Sequence, residues 1–177
     1  IGAGIQNVLF ADIRSTADVE ECVAAVRADT PETGGTYGAS DRRIAGFREG
    51  DSLAYVQALE DVVVALMIEK EDAVANLEQL LAVRGVDMVQ FGASDFSMSF
   101  GKPGQAMDSG IQEVQDYVIK TALKMGVEAR AEIMTPDQAE RFLDLGVKHF
   151  CIGTDLTVLY LWWMEKGTEL RRIIEKR

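Results

Sequence analysis

Two carboxylates, Glu69 and Asp95, stand at equivalent places in consecutive repeats of one pattern. The stretch VVVALMIE (62–69) is apolar, rich in β-branched residues, and stops at Glu69. A helical pattern follows over 71–83, then Gly85, then a second apolar run that ends in Gly92-Ala93-Ser94-Asp95. Strands that alternate with helices build a parallel sheet, and ligands of such sheets gather at the C-terminal ends of the strands. Adjacent strands lie about 5 Å apart, so two acids at neighbouring strand ends need a compensating cation to stay ionised. An oxygen-only site with positions open to water suits Mg²⁺ or Mn²⁺. Two solvated acids at strand ends are the plainer reading of the same spacing. The small residues Gly92, Ala93 and Ser94 let a ligand approach the backbone N–H groups, although a simple tight turn has the same composition.

The other candidate groups are few. His149 is the single histidine and falls at the start of the last strand, at the opposite end of the sheet from the acid pair. No catalytic histidine is therefore expected among these residues. Asp12 and Asp155 end the first and last strands on the acid side. Asp12 reads as an acid supporting the site or as a strand-end cap, and Asp155 as the N-cap of the final helix. Arg14, Arg42 and Arg43 are the bases near that face, available to a carboxylate or phosphate.

The positioning elements follow from a recurring junction. A helix tail, a Gly, a small apolar residue and a strand succeed one another at 3–13, 84–94, 125–134 and 145–155. The glycine fits the left-handed position that ends a helix. Helical patterns are predicted over 16–27, 71–83, 108–125, 136–145 and about 156–175, with Ser15 and Thr135 as capping hydroxyls and Pro136 in the first helical position. Residues 30–50 hold no clean periodicity and read as a long functional loop. Five strands with a final helix make either a complete flavodoxin-like sheet or the last five strands of a (β/α)8 barrel, a fold that takes about 250 residues. Periodicity does not choose between them.

The 177 residues suffice for a single domain spanning 1–177 with its own core. The 29 acids against 18 bases give a net charge of −11, which disfavours nucleic acid and anionic membranes as partners. The longest apolar runs, 62–68 and 157–164, are too short to span a bilayer. Cys22 and Cys151 read as buried free thiols of a cytoplasmic protein. Tyr160, Leu161, Trp162 and Trp163 cannot all face one core, so the last helix is expected to pack on another subunit of a homo-oligomer. A chain beginning with Ile1 inside a helix end suggests that residues precede it.

The residues Ile68-Glu69-Lys70-Glu71-Asp72-Ala73-Val74-Ala75-Asn76-Leu77, then Gly85-Val86-Asp87, then Gly92-Ala93-Ser94-Asp95-Phe96-Ser97 resemble the HpcH/HpaI aldolases. These are metal-dependent, class II pyruvate aldolases. The likeness continues through Phe142–Gly146 and Ile152–Leu159. It implies a (β/α)8 TIM barrel of the phosphoenolpyruvate/pyruvate superfamily, present here as about strands four to eight with the N-terminal strands outside the chain. It implies Glu69 and Asp95 as the protein ligands of Mg²⁺, Mn²⁺ or a similar ion such as Co²⁺ or Zn²⁺. Pyruvate would chelate that ion, with Met67 and the backbone of Gly92, Ala93 and Ser94 around it. The reaction implied is reversible cleavage of a 4-hydroxy-2-oxo acid to pyruvate and an aldehyde, with a citramalyl- or malyl-thioester lyase as the related alternative and a non-catalytic flavodoxin-like or degenerate-barrel binding domain as the other. The family's catalytic histidine and keto-binding arginine match nothing in this chain. Three positions depart from the family pattern: Met67 replaces a glutamine, Ala93 a proline, and Phe10-Ala11-Asp12 a strand end in Val-Pro.

Overall fold

The computed structural model describes residues 1–39 and 52–176. Five strands, β1 (Asn7–Phe10), β2 (Val63–Ile68), β3 (Met88–Phe91), β4 (Glu128–Ile133) and β5 (His149–Ile152), form one sheet in the order of the chain. Every neighbouring pair is parallel. A flavodoxin-like sheet needs a point where the strand order reverses, so the unbroken sequential order excludes that architecture. The strands make an arc of a barrel wall, and the helices cover its outer face.

Side-chain alternation along β2 shows why the strand sits between two environments. Val62, Val64, Leu66 and Ile68 are fully buried against the helices, while Val63 and Met67 turn to the concave side and are half-buried. The helices are α1 (Thr16–Val26), α2 (Ser52–Glu60), α3 (Glu71–Ala75), α4 (Leu77–Leu81), α5 (Ala93–Ser99), α6 (Ser109–Lys124), α7 (Ala139–Asp144) and α8 (Asp155–Glu175), the last with no buried residue among those described. Val19 and Val26 of α1, Leu77 and Leu80 of α4, and Ile111 and Val118 of α6 join the β2 face in one core.

Three predicted helix junctions hold: Gly85, Gly126 and Gly146 follow α4, α6 and α7 and take positive φ. Gly4 also takes positive φ, but it closes a turn with no helix before it among the described residues. Ser15 caps α1 through a reciprocal capping box with Asp18, and Thr135 does the same with Gln138.

Several expectations are corrected. The single helix over 71–83 is two short helices, because Asn76 leaves the helical region at φ −108°, ψ 16°. Helices α2 and α5, nine and seven residues long, are additional to the predicted set. Thr154, not Asp155, caps α8, its side chain accepting from the Thr157 N–H. Cys22 and Cys151 are free but only half-buried. Residues 30–39 of the long loop are irregular, and its remainder, with Arg42 and Arg43, lies outside the described residues.

Arg27 is a feature that sequence reasoning missed. Its guanidinium is buried at the N-terminal end of the sheet and donates to the carbonyls of Leu59, Val62 and Gly85. It also pairs with Asp87 at 3.5 Å, and Asp87 accepts from the Val64 N–H at 2.8 Å. One cation thus ties three loops together at the end away from the acids.

Candidate functional site

Glu69 follows β2 directly and is buried, 6% exposed. A buried carboxylate needs fixed donors, and one is present: the backbone N–H of Asp12, beyond the end of β1, donates to Glu69 Oε1 at 2.7 Å. That donor requires an unusual backbone. Asp12 sits at φ 58°, the left-handed region, which Asp tolerates better than most residues. The Asp12 carboxylate is held in turn by Arg14 at 2.9 Å and Lys70 at 3.4 Å. Hydrogen bonds from Arg14 first and Lys70 second keep its pKa below the ordinary value. Asp12 thus supports the site, chiefly through its main chain.

The second oxygen of Glu69 faces Gly92. A Cβ at residue 92 would stand 2.8 Å from Glu69 Oε2, 2.9 Å from Glu69 Cβ and 3.1 Å from Met67 Sδ. Only glycine leaves that space open. The Gly92 N–H is not available to a ligand, because it donates to the Ile68 carbonyl at 3.0 Å and continues the β2–β3 pairing.

Asp95 is not beside Glu69 on a neighbouring strand, as the spacing had suggested. The chain turns into α5 immediately after Gly92, which places Asp95 in the first helical turn, exposed. Both acids nevertheless line one cleft of about 420 Å³, together with Met67, Gly92, Ala93 and Ser94. Gln90 and Glu132 also line it. Neither drew attention in the sequence, where Gln90 is a single polar residue inside an apolar run.

His149 begins β5 at the far end of the sheet, exposed, 3.6 Å from Glu128. It takes no part in the cleft. Among the described residues no three His, Cys, Asp or Glu side chains converge in a metal cage. Of the two acids singled out in the sequence, Glu69 is buried and oriented and Asp95 is exposed.

The model of the HpcH/HpaI aldolase/citrate lyase family matches residues 1–160. The chain belongs to that family. Among HpcH/HpaI relatives, the pyruvate aldolase of Rhizobium etli is 30% identical over 159 residues, covering 88% of this chain and 60% of its own length. The 4-hydroxy-2-oxo-heptane-1,7-dioate aldolase of Escherichia coli is 28% identical over 159 residues, covering 90% and 60%. The crystal structure of an HpcH/HpaI aldolase from Desulfitobacterium hafniense superposes with a TM-score of 0.82 at 21% identity, over 94% of this chain and 64% of that one. The HpcH/HpaI fold is of the TIM-barrel type, and this chain is an arc of it. It spans about 60% of the length of the curated relatives it matches.

Proposed function

We propose that this chain carries the metal and pyruvate site of a class II aldolase, which reversibly cleaves a 4-hydroxy-2-oxo acid to pyruvate and an aldehyde. The observation that carries the reading is the Glu69 carboxylate, buried, oriented by the Asp12 N–H, and facing a space that Gly92 keeps clear. A buried acid with one oxygen fixed and the other directed into a cleft suits a divalent cation better than a solvated strand end does. Family membership supports the lyase chemistry.

Glu69 and Asp95 would hold Mg²⁺, Mn²⁺ or a similar ion. Their two carboxylates leave coordination positions for water and substrate, as Mg²⁺ sites commonly do. When bound, the ion supplies Lewis acidity that stabilises negative charge developing on the pyruvate portion. The protein's own part is orientation. Asp12 fixes one rotamer of Glu69, and the Arg14 and Lys70 contacts fix Asp12. The N–H groups of Ala93, Ser94 and Asp95 open α5 and have no helical partner, so they can donate to the substrate carboxylate. Met67 lines the same space with a thioether, which offers no strong hydrogen bond where the family pattern has an amide.

The test is pyruvate release from a 4-hydroxy-2-oxo acid by the full protein, before and after exhaustive chelation. Loss on chelation and recovery on adding Mg²⁺ or Mn²⁺ is expected. Full turnover without metal would overturn the reading.

We also propose that α8 docks on a second copy of the protein. None of its described residues is buried, and Leu159, Trp162, Trp163, Leu170 and Ile174 are all exposed. So much apolar surface on one helix marks an interaction surface. The helix is not long and apolar enough to cross a membrane.

A further inference from the structure

Met67 brings to the cleft a donor atom that the metal reading has not used. It lies two residues before Glu69, and strand alternation turns both side chains to the concave side, where they line the cleft together. The place a Cβ at residue 92 would take is 3.1 Å from Met67 Sδ and 2.8 Å from Glu69 Oε2, so sulfur and oxygen border one small gap. Glu69 is 6% exposed, with Oε1 held by the Asp12 N–H, and its Oε2 accepts no hydrogen bond among the described residues. A carboxylate this buried with one bare oxygen calls for a cation.

The neighbouring polar groups are committed elsewhere. Gln90, in register with Met67 on β3, donates through Nε2 to Glu132 Oε2 at 3.3 Å, and its Oε1 is buried without a partner. Arg130, next in register on β4, lines the hollow at the N-terminal end of the concave face and not this cleft. Arg14 and Lys70 are paired with Asp12. The Met67 thioether donates no hydrogen bond to Glu69, but it is a soft, polarisable ligand for metal ions. Mg²⁺ keeps to oxygen ligands, whereas borderline and soft ions such as Zn²⁺ and Cd²⁺ accept sulfur.

We infer that Met67 Sδ is a further donor to the ion held at Glu69, and that it biases the site away from Mg²⁺ toward softer divalent ions. The inference rests on the metal reading of Glu69 and Asp95, and it assigns the selectivity of that site to a third side chain. An oxygen-only site already ranks divalent ions by their general affinity order. The diagnostic quantity is therefore the change in ion preference when the sulfur is removed.

The experiment titrates the full protein with Mg²⁺ and with Cd²⁺ by calorimetry, as the parent, Met67→Leu and Met67→Gln. Leucine keeps the volume and apolar character without the sulfur, and glutamine puts a hard amide oxygen in its place. Cd²⁺ affinity should fall by about tenfold in both variants, the usual scale for removing a group beside a bound ion. Mg²⁺ affinity should be unchanged in Met67→Leu and no weaker in Met67→Gln. In NMR of the Cd²⁺ form, scalar coupling between the cadmium nucleus and the Met67 methyl protons should appear in the parent. A purely structural role for Met67 would weaken both ions together, which would overturn the inference. Unchanged Cd²⁺ affinity in the variants, or no coupling to the Met67 methyl in the parent, would do the same and leave the two carboxylates as the site. Binding of neither ion by the parent would overturn the metal reading, and the role of Met67 with it.

Discussion

The backbone N–H of Asp12 reaches across from the end of β1 to Glu69 Oε1 at 2.7 Å, with Asp12 at φ 58°. The rotamer of a buried acid on one strand is thus set by the main-chain conformation at the end of its neighbour. A β-branched residue at position 12 would lose that conformation, at a cost of about 1–2 kcal/mol. Asp12→Val should therefore weaken Mn²⁺ binding by about tenfold, the usual effect of removing a group that orients a ligand. Asp12→Gly retains the backbone and should bind within about threefold of the parent, a contrast calorimetry resolves.

Gly92→Ala tests the opposite side of the same carboxylate. Gly92 has φ −95°, which alanine adopts freely, so the substitution adds only the clash with Glu69 Oε2 and Met67 Sδ. The far-UV spectrum should be unchanged, while metal affinity falls at least about tenfold as Glu69 is displaced. Unchanged affinity would mean that Glu69 Oε2 is not where a ligand is met.

At the other end of the sheet Arg27 is a matter of stability alone. Arg27→Met removes the donor to three carbonyls and leaves Asp87 without its cation. The expected loss is about 3 kcal/mol, read from the urea midpoint. It should not alter metal affinity in the fraction that remains folded.

The pH dependence near the cleft mouth is legible at Asp108, the N-cap of α6. The Lys102 ammonium hydrogen-bonds its carboxylate at 3.0 Å, and with the Gly110 and Ile111 N–H groups it holds the Asp108 pKa below the ordinary value of 3.8. A pKa lowered by folding stabilises the folded state above the unfolded value, and that contribution is lost as pH falls through the folded value. The loss should fall below about pH 4. Lys102→Met should move the Asp108 titration, followed by carboxylate NMR shifts, upward toward 3.8.

Much of the fold was legible because glycine and the capping residues announce helix ends locally. The junction glycines Gly85, Gly126 and Gly146 and the Ser15 and Thr135 caps are determined by their immediate neighbours. The break at Asn76 and the short α5 were not, since both depend on packing against elements distant in sequence. The choice between a doubly wound sheet and a barrel arc was closed only by strand order, a property of the whole sheet. Glu69 and Asp95 were found from their type and spacing, and they do share a cleft. Gln90 was hidden because an interior-facing amide and a core residue occupy the same place in an apolar run; only its missing partner distinguishes them.

The exposed face of α8 predicts self-association. Light scattering should give a multimer whose mass falls to that of a single copy when Trp162 and Trp163, 50% and 65% exposed, are both changed to Glu. A monomeric parent at micromolar concentration would remove the second copy from the account.

Direct titration of Mn²⁺ into the full protein, followed by calorimetry or by loss of the free-ion paramagnetic signal, tests the central claim most closely. One site per chain is predicted, weakened by about a hundredfold or more in both Glu69→Gln and Asp95→Asn, since each removes a charged ligand of an ion held by two. Binding of parental strength in either variant would contradict the assignment of these two carboxylates as the metal site.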